Sequence, residues 1–316
     1  MIVDILLIIA GIALVLYGAD RLTAGASALA RRMNIPEIII GLTIVAAGTS
    51  APEFFVSFMS AIKGTPDMAV GNVVGSNIFN VLLIVGVTAM VTPIKVTRST
   101  VSKDMVWAIL ASILFLFCCF AQLPLSFQGC TISRLDGLML LAFFAVFMYQ
   151  TLKAAKTDNS DSPQEKKESA LKNVFFFMAG FAMLILGSNV FVDSASGVAA
   201  SLGVSQGVIG LTIVAGGTSL PELATSVVAA KKGNSAIAIG NVIGSNVFNI
   251  LAILGTTAAI CPMEIKGISP IDIIVMGASV FLLWLFSFTK LTVARWEGAV
   301  LTSLFIIYMA YLLINI

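Results

Sequence analysis

Long apolar blocks alternate with short polar connections along the whole chain. A helix needs about 20 apolar residues to cross a bilayer. Ten stretches reach that length, at roughly 2–19, 36–61, 68–92, 104–122, 134–153, 173–190, 206–230, 236–260, 270–289 and 297–315. Between the fifth and sixth lies the one clearly hydrophilic run, "KAAKTDNSDSPQEKKESALK" at 153–172. Its Lys, Asp, Ser and Pro content cannot build a core, so it reads as a linker between an N-terminal half, 1–152, and a C-terminal half, 173–316. The first block, 2–17, lacks the basic start and cleavage site of a signal peptide and is expected to remain as a span. The pattern predicts an all-α polytopic membrane protein.

Composition extends this reading to the whole chain. Apolar residues make up 59% and charged residues 11% of the 316 positions, against about 45–50% and about 25% in soluble domains. A net charge of +2 scattered over short connections offers no basic tract for nucleic acid. Histidine is absent, and Cys118, Cys119, Cys130 and Cys261 have neither metal spacing nor a disulfide framework. Histidine- or thiolate-based metal catalysis is thereby excluded, and neither an enzyme nor a cofactor is expected. Fifteen Lys and Arg residues fall on one side of the spans; Lys63, Arg134 and Lys266 fall on the other. The positive-inside rule then puts both termini outside and the 153–172 linker in the cytoplasm. The absence of an organelle-type presequence fits a prokaryotic inner (plasma) membrane. Trp107, Trp284 and Trp296 read as interfacial anchors, and Asp20, Asn189 and Asp193 as residues at the water boundary.

Two stretches of the chain repeat each other. "GLTIVAAGTSAPEFFVSFMSAIKGTPDMAVGNVVGSNIFNVLLIVG" (41–86) aligns without a gap over "GLTIVAGGTSLPELATSVVAAKKGNSAIAIGNVIGSNVFNILAILG" (210–255), at an offset of 169 and with 27 of 46 positions identical. Five spans per half is an odd number, so the second copy sits upside down relative to the first. The fold expected is therefore ten transmembrane helices as two inverted five-helix repeats, an architecture of secondary transporters that bind their cargo near the midplane.

Chemistry concentrates in two places within each copy, "GTSAPE" with "GTSLPE" and "GNVVGSNIFN" with "GNVIGSNVFN". Glu53, Glu222, Asn80 and Asn249 all fall near the middle of their spans. Pro52 has no N–H to offer the Gly48 carbonyl and its ring opens the preceding turn, which is expected to bare carbonyls around Ala46 to Thr49. Thr49 and Ser50 share a helical face with Glu53, and Ser76 lies four residues before Asn80. Two carboxylates, two amides, hydroxyls and bared carbonyls are hard oxygen ligands suited to Ca²⁺ and Na⁺. Gly71, Gly75, Gly240 and Gly244 are expected to let the third and eighth helices approach the broken ones. A lone buried Glu can be structural, and a Gly-rich run alone can be helix packing. Duplication of both motifs favours the ligand reading.

These paired motifs resemble the alpha repeats of the sodium/calcium exchanger family, within the wider cation/calcium antiporters. The resemblance implies a central Ca²⁺ site flanked by Na⁺ sites, and alternating access by movement of the first and sixth helices against the rest. Carried over by position, it implies carboxylate ligands at Glu53 and Glu222 and hydroxyl ligands at Thr49, Ser50, Thr218 and Ser219. It also implies backbone ligands at Ala46 and Ala215, Ser76 and Ser245 at the outer Na⁺ positions, and Asn80 and Asn249 in the middle. Some relatives, including potassium-dependent ones, carry Asp where Asn249 stands, so this pocket has two acidic groups instead of three and the case for K⁺ cotransport weakens. The large regulatory region of animal exchangers is missing. A monomer is expected to suffice for transport.

Four functions could use these residues. Na⁺/Ca²⁺ antiport leads, because neutral oxygens coordinate Na⁺ but carry protons poorly. A Ca²⁺/H⁺ antiporter, or an exchanger of another cation, would keep the fold and use a buried carboxyl as the proton carrier. A passive channel fits poorly with broken midplane helices in inverted repeats. An intramembrane hydrolase at Ser50 or Ser219 has no histidine, and no lysine near the motifs, to act as base.

Overall fold

The structure, a computed structural model, describes residues 2–33, 35–120, 130–157, 170–202, 215–265 and 268–314. Among the described residues eight helices are long and apolar enough to cross a membrane, and a ninth span is formed by Glu37–Thr49 and Ala51–Ile62, bent by 47° at Ser50. In chain order the first span is Ile2–Met33, the bent pair is the second, Pro66–Val91 the third, Thr100–Cys119 the fourth and Arg134–Thr157 the fifth. The sixth is Ala170–Ser201, the eighth Ser235–Ile260, the ninth Pro270–Ser287 and the tenth Arg295–Ile314. The seventh is described from Ala215, as Ala215–Thr218 and Leu220–Lys231. Its expected beginning at 206–214 and most of the expected linker, 158–169, lie outside the described residues.

The first and sixth spans are each 32 residues long, well past their expected ends at 19 and 190. At 1.5 Å per residue that is about 48 Å of helix, against about 30 Å of hydrocarbon. The extension survives because Ala19, Leu22, Ala26 and Ala30 stay buried at spacings of three and four, which keeps one face packed while polar residues leave by the other. Gly11, Gly18 and Gly25 recur every seven residues along this face. A Cβ on Gly11 would stand 2.9 Å from the Gly187 carbonyl oxygen, one on Gly18 2.8 Å from that of Gly180, and one on Gly25 2.9 Å from that of Asn173. Partner numbers fall as the first span's rise, so the two helices run antiparallel with backbones touching. The 169-residue offset turns Gly11 into Gly180 and Gly18 into Gly187, so the seam is its own image under the two-fold of the repeat.

The third and eighth spans form the centre, with 72% and 89% of their apolar windows buried against 17–39% for the other straight spans. Each packs against the fifth span of the opposite half. Gly86 meets Gly298 and Thr302 of the tenth, and Gly255 meets Gly137 of the fifth. Phe79 stacks edge-on to Phe305 at 5.3 Å, and its image Phe248 to Phe144 at 4.8 Å. Four short strands, β1 (Ile94–Lys95), β2 (Cys130–Ile132), β3 (Met263–Ile265) and β4 (Thr292–Val293), extend the exchange: β1 pairs with β4 and β2 with β3, both antiparallel. A second repeat now becomes visible, "TISRLDG" at 131–137 over "TVARWEG" at 292–298, at an offset of 161. In both, the acidic residue caps its helix: Asp136 Oδ2 accepts from the Ser133 N–H at 2.8 Å, and Glu297 Oε2 from the Ala294 N–H at 2.7 Å.

The two-fold is broken at one end. Lys232, following the seventh span, pairs with Asp20 of the first at 2.7 Å, and Asn234 donates to Ser27 Oγ at 2.7 Å. The images of Asp20 and Ser27 are Asn189 and Ser196. Asn189 is exposed and carries no charge to offer Lys63, and Ser196 Oγ has no partner among the described residues. Trp107 donates to Gln150 and Trp284 to the Val101 carbonyl. Cys118 and Cys119 are buried and Cys261 half-buried.

Candidate functional site

Both copies break in the same way. Ser50 leaves the helical region with φ −82° and ψ 5°, Ser219 with φ −90° and ψ 5°, and Pro52 and Pro221 open the helices that follow. Proline fits the first turn because its missing N–H would be unpaired there anyway. One expectation is corrected: the Ser50 N–H reaches the Ala46 carbonyl at 2.9 Å, so Ala46 keeps a helical partner. The carbonyl still has its second lone pair. Ala215 begins the corresponding described segment of the second copy.

Glu53 and Glu222 stand in the first turn of the helices after the breaks, where the helix dipole favours a negative charge. Ser50 and Ser219 occupy the N-cap positions three residues earlier, the spacing of a capping box, yet neither serine caps its own helix. Ser50 Oγ instead donates to Glu222 Oε1 at 3.2 Å, and Ser219 Oγ to Glu53 Oε1 at 3.1 Å. Each half thus holds the other half's carboxylate. Ser76 Oγ lies 3.4 Å from Ser219 Oγ, Thr218 faces Glu53, and Thr49 and Ser245 face Glu222. Every one of these side chains is buried, both glutamates at 1% exposure.

Asn80 and Asn249 enter from the third and eighth spans, in the segments Phe79–Val85 and Phe248–Leu254, where the helix widens to i→i+5 hydrogen bonding. Such π-helical turns recur at functional sites, and nothing in the apolar periodicity announced them. Gly240 and Gly244 of the eighth span admit the second, a Cβ on Gly240 falling 2.8 Å from the Ile38 carbonyl oxygen and one on Gly244 2.6 Å from that of Leu42. A Cβ on Gly71 or Gly75 would meet no described residue of another helix within 4 Å, and the matching stretch of the seventh span precedes its described part. The structure therefore brings together Thr49, Ser50, Glu53, Ser76, Asn80, Thr218, Ser219, Glu222, Ser245 and Asn249.

Four asparagines of the same motifs were missed. Asn72 Nδ2 donates to the Glu53 carbonyl at 3.2 Å and to Ser57 Oγ at 2.9 Å; its image Asn241 reaches the Glu222 carbonyl at 3.4 Å and Ser226 Oγ at 3.1 Å. Asn241 Oδ1 also lies 3.0 Å from the Thr49 hydroxyl. Asn77 and Asn246 bond the middle pair: Asn80 Nδ2 to Asn246 Oδ1 at 3.0 Å and Asn249 Nδ2 to Asn77 Oδ1 at 3.3 Å. The signal was in the sequence, since Asn72, Ser76 and Asn80 share one face at i, i+4 and i+8.

Among the described residues, Glu53 Oε2, Glu222 Oε2, Asn80 Oδ1 and Asn249 Oδ1, with Ser245 Oγ beside them, are buried without a hydrogen-bond partner. Of these, the carboxylate and amide oxygens can only accept. A buried unpaired polar atom costs about 1–3 kcal/mol, and a charged one more. These four acceptors form two symmetry-related pairs and are oxygens of the hard type that Ca²⁺ and Na⁺ take as ligands. Among the described residues no three of His, Cys, Asp and Glu cluster.

Comparison with known proteins shows the family. The sodium/calcium exchanger protein family matches residues 3–153 and 172–314. The chain is 39% identical over 327 residues to the putative antiporter CaxA of Alkalimonas amylolytica, covering 100% of both, and 33% identical over 344 residues to the sodium/calcium exchanger MaX1 of Methanosarcina acetivorans, covering 98% of both. It superposes on the sodium-calcium exchanger NCX_Mj, soaked with Na⁺ and Ca²⁺, with a TM-score of 0.84 at 30% identity over 98% of each chain. The chain belongs to the sodium/calcium exchanger family, and is accordingly a membrane-spanning exchanger of cations against Ca²⁺ and no enzyme.

Proposed function

We propose that the chain is a secondary antiporter that moves Ca²⁺ against Na⁺ through one alternating site. The observation that carries the reading is that, among the buried polar atoms without a partner in the described residues, Glu53 Oε2, Glu222 Oε2, Asn80 Oδ1 and Asn249 Oδ1 form two symmetry-related pairs of acceptors inside the repeated motifs. Glu53 and Glu222 neutralise one Ca²⁺. Thr49, Ser50, Thr218, Ser219, Ser76 and Ser245, the amide oxygens of Asn80 and Asn249, and the carbonyls of Ala46 and Ala215 complete a hard-oxygen shell. Na⁺ draws on the same carboxylates, so the two loads exclude one another, and that competition is the coupling. Neutral hydroxyl and amide oxygens favour Na⁺ over H⁺ as the counter-ion. The working unit is a monomer in a prokaryotic inner membrane, with halves 1–152 and 173–316, both termini outside and the 153–172 linker in the cytoplasm.

The test is ⁴⁵Ca²⁺ uptake into proteoliposomes loaded with Na⁺ and diluted into Na⁺-free buffer, with an imposed pH gradient as the competing drive. Uptake that requires internal Na⁺ is expected. Uptake that follows the pH gradient and ignores Na⁺ would move the chain to the Ca²⁺/H⁺ reading.

In this orientation Asp20–Lys232 and Ser27–Asn234 tie the first span to the core on the cytoplasmic side. A partly exposed ion pair is worth about 0.2–1 kcal/mol, so Lys232→Ala is expected to leave thermal stability nearly unchanged. The same change is expected to raise alkylation of a cysteine placed at Thr23, which is fully buried here, by an impermeant maleimide added to inside-out vesicles. Unchanged labelling would remove the latch from the reading.

A further inference from the structure

The middle of the site is closed by two crossed chains of amides whose direction can be worked out. The Asn77 carbonyl oxygen can only accept, so Asn246 presents Nδ2 to it, at 3.4 Å. Asn246 Oδ1 must then face Asn80, and Asn80 must answer with its own Nδ2, at 3.0 Å. That leaves Asn80 Oδ1 turned away from the chain, buried and without a donor. The mirror-image chain starts at the thioether of Met276, also an acceptor. Asn77 Nδ2 faces Met276 Sδ at 3.7 Å, Asn77 Oδ1 receives Asn249 Nδ2 at 3.3 Å, and Asn249 Oδ1 is left over in the same way. Asn77, Asn246 and Met276 are at most 2% exposed, so water does not compete for these bonds.

We propose that Asn77, Asn246 and Met276 are positioning residues that set the polarity of the Asn80 and Asn249 amides, so that an oxygen and never an NH₂ group faces the cation. This rests on the exchange reading above. An amide is nearly symmetric in shape but opposite in charge at its two ends, and a flipped one would turn a ligand into a repulsive group at no steric cost. The ninth span, which supplies none of the ligands assigned above, thereby enters the site through Met276. The two anchors differ in strength: a backbone carbonyl holds the Asn246–Asn80 chain, and a weak sulfur acceptor holds the Asn77–Asn249 chain.

The test is ⁴⁵Ca²⁺/Ca²⁺ exchange by the full chain in proteoliposomes, which needs no counter-ion gradient, titrated with Ca²⁺ and inhibited with Na⁺. Asn246→Leu is expected to raise the half-saturating Ca²⁺ or the half-inhibiting Na⁺ concentration about tenfold, and Met276→Leu about threefold, with the maximal rate within about twofold of wild type. A carboxylate has no NH₂ end, so the shifts are expected to vanish when Asn246→Leu is combined with Asn80→Asp and Met276→Leu with Asn249→Asp, each compared with its single Asp variant. Shifts that persist in the Asp backgrounds would mean a packing role and overturn the proposal, as would midpoints that stay at wild-type values in both single variants. If Asn246→Leu fails to fold, the volume-conserving Met276→Leu decides between the same outcomes. A wild-type protein that exchanges no Ca²⁺ would overturn this proposal and the exchange reading together, whereas an active wild type with indifferent variants overturns this one alone.

Discussion

Glu53→Gln is expected to lower Ca²⁺ exchange at least about a hundredfold while the protein still folds, and Glu222→Gln to do the same. Glutamine keeps the shape of glutamate and an oxygen that can accept from Ser219 or Ser50, so the crossed hydrogen bonds of 3.1 and 3.2 Å need not be lost. What is lost is one of the two negative charges in a site that is 99% shielded from solvent. A divalent cation would then carry a net positive charge in a low-dielectric interior, and breaking a buried ion pair from one side costs about 3–5 kcal/mol, or about two to four orders of magnitude in occupancy. Without cation, the variant buries one charge fewer, so its melting temperature in cation-free detergent is expected to equal or exceed that of wild type. Flux measurements on both variants read the first effect and thermal unfolding the second. Exchange above a tenth of wild type in either variant would show that the carboxylates are not the cation's principal partners.

Gly180→Val is expected to be the most damaging single change to the fold, with Gly18→Val close behind. A Cβ on Gly180 would lie 2.6 Å from the Gly18 carbonyl oxygen, and one on Gly18 2.8 Å from that of Gly180 and 3.0 Å from the Leu184 nitrogen. These neighbours are backbone atoms of the facing helix, so relief requires the two 32-residue helices to part. Overpacking typically costs about 1–3 kcal/mol and more where nothing yields, and here the strain sits in the middle of the longest contact in the molecule. Thermal unfolding in detergent is expected to show a fall of several degrees or a loss of folded yield. Gly277→Ala, where a Cβ would stand 3.9 Å from the Ser112 Cβ, an ordinary van der Waals distance, serves as the control and is expected to match wild type. A Gly180→Val protein as stable as the control would mean that the seam is not a close contact.

The helical spans, the inverted repeat and the polar positions of the repeated motifs were legible because apolar length and an ungapped duplication are both properties of a single strand of text. What was not legible depends on partners far away in sequence. Ser50 and Glu53 are spaced to cap one helix, and only the fold shows that Ser50 serves Glu222 instead. Asn77 and Asn246 stand inside the quoted motifs, but their use is to orient another asparagine, which no spacing rule reveals. The first and sixth spans overran their expected ends because a helix whose exposed face is polar carries no apolar run to count. The matching segments 131–137 and 292–298 escaped because the offset between the copies changes by eight residues before them.

The pairing of β1 with β4 and β2 with β3, together with the contacts of the third span with the tenth and the fifth with the eighth, bears on how the protein is made. When the first five helices have left the ribosome, the strands at 94–95 and 130–132 and the small-residue faces at Gly86 and Gly137 have nothing to close on. The nascent chain must wait in the membrane, half assembled, until the last helix is released. Gene duplication explains how such a dependence could arise: contacts that once joined two identical five-helix subunits in opposite orientations became contacts between the start and the end of one polypeptide. After fusion, each copy was free to diverge, and Asn189 standing where the other copy has Asp20 is one trace of that freedom.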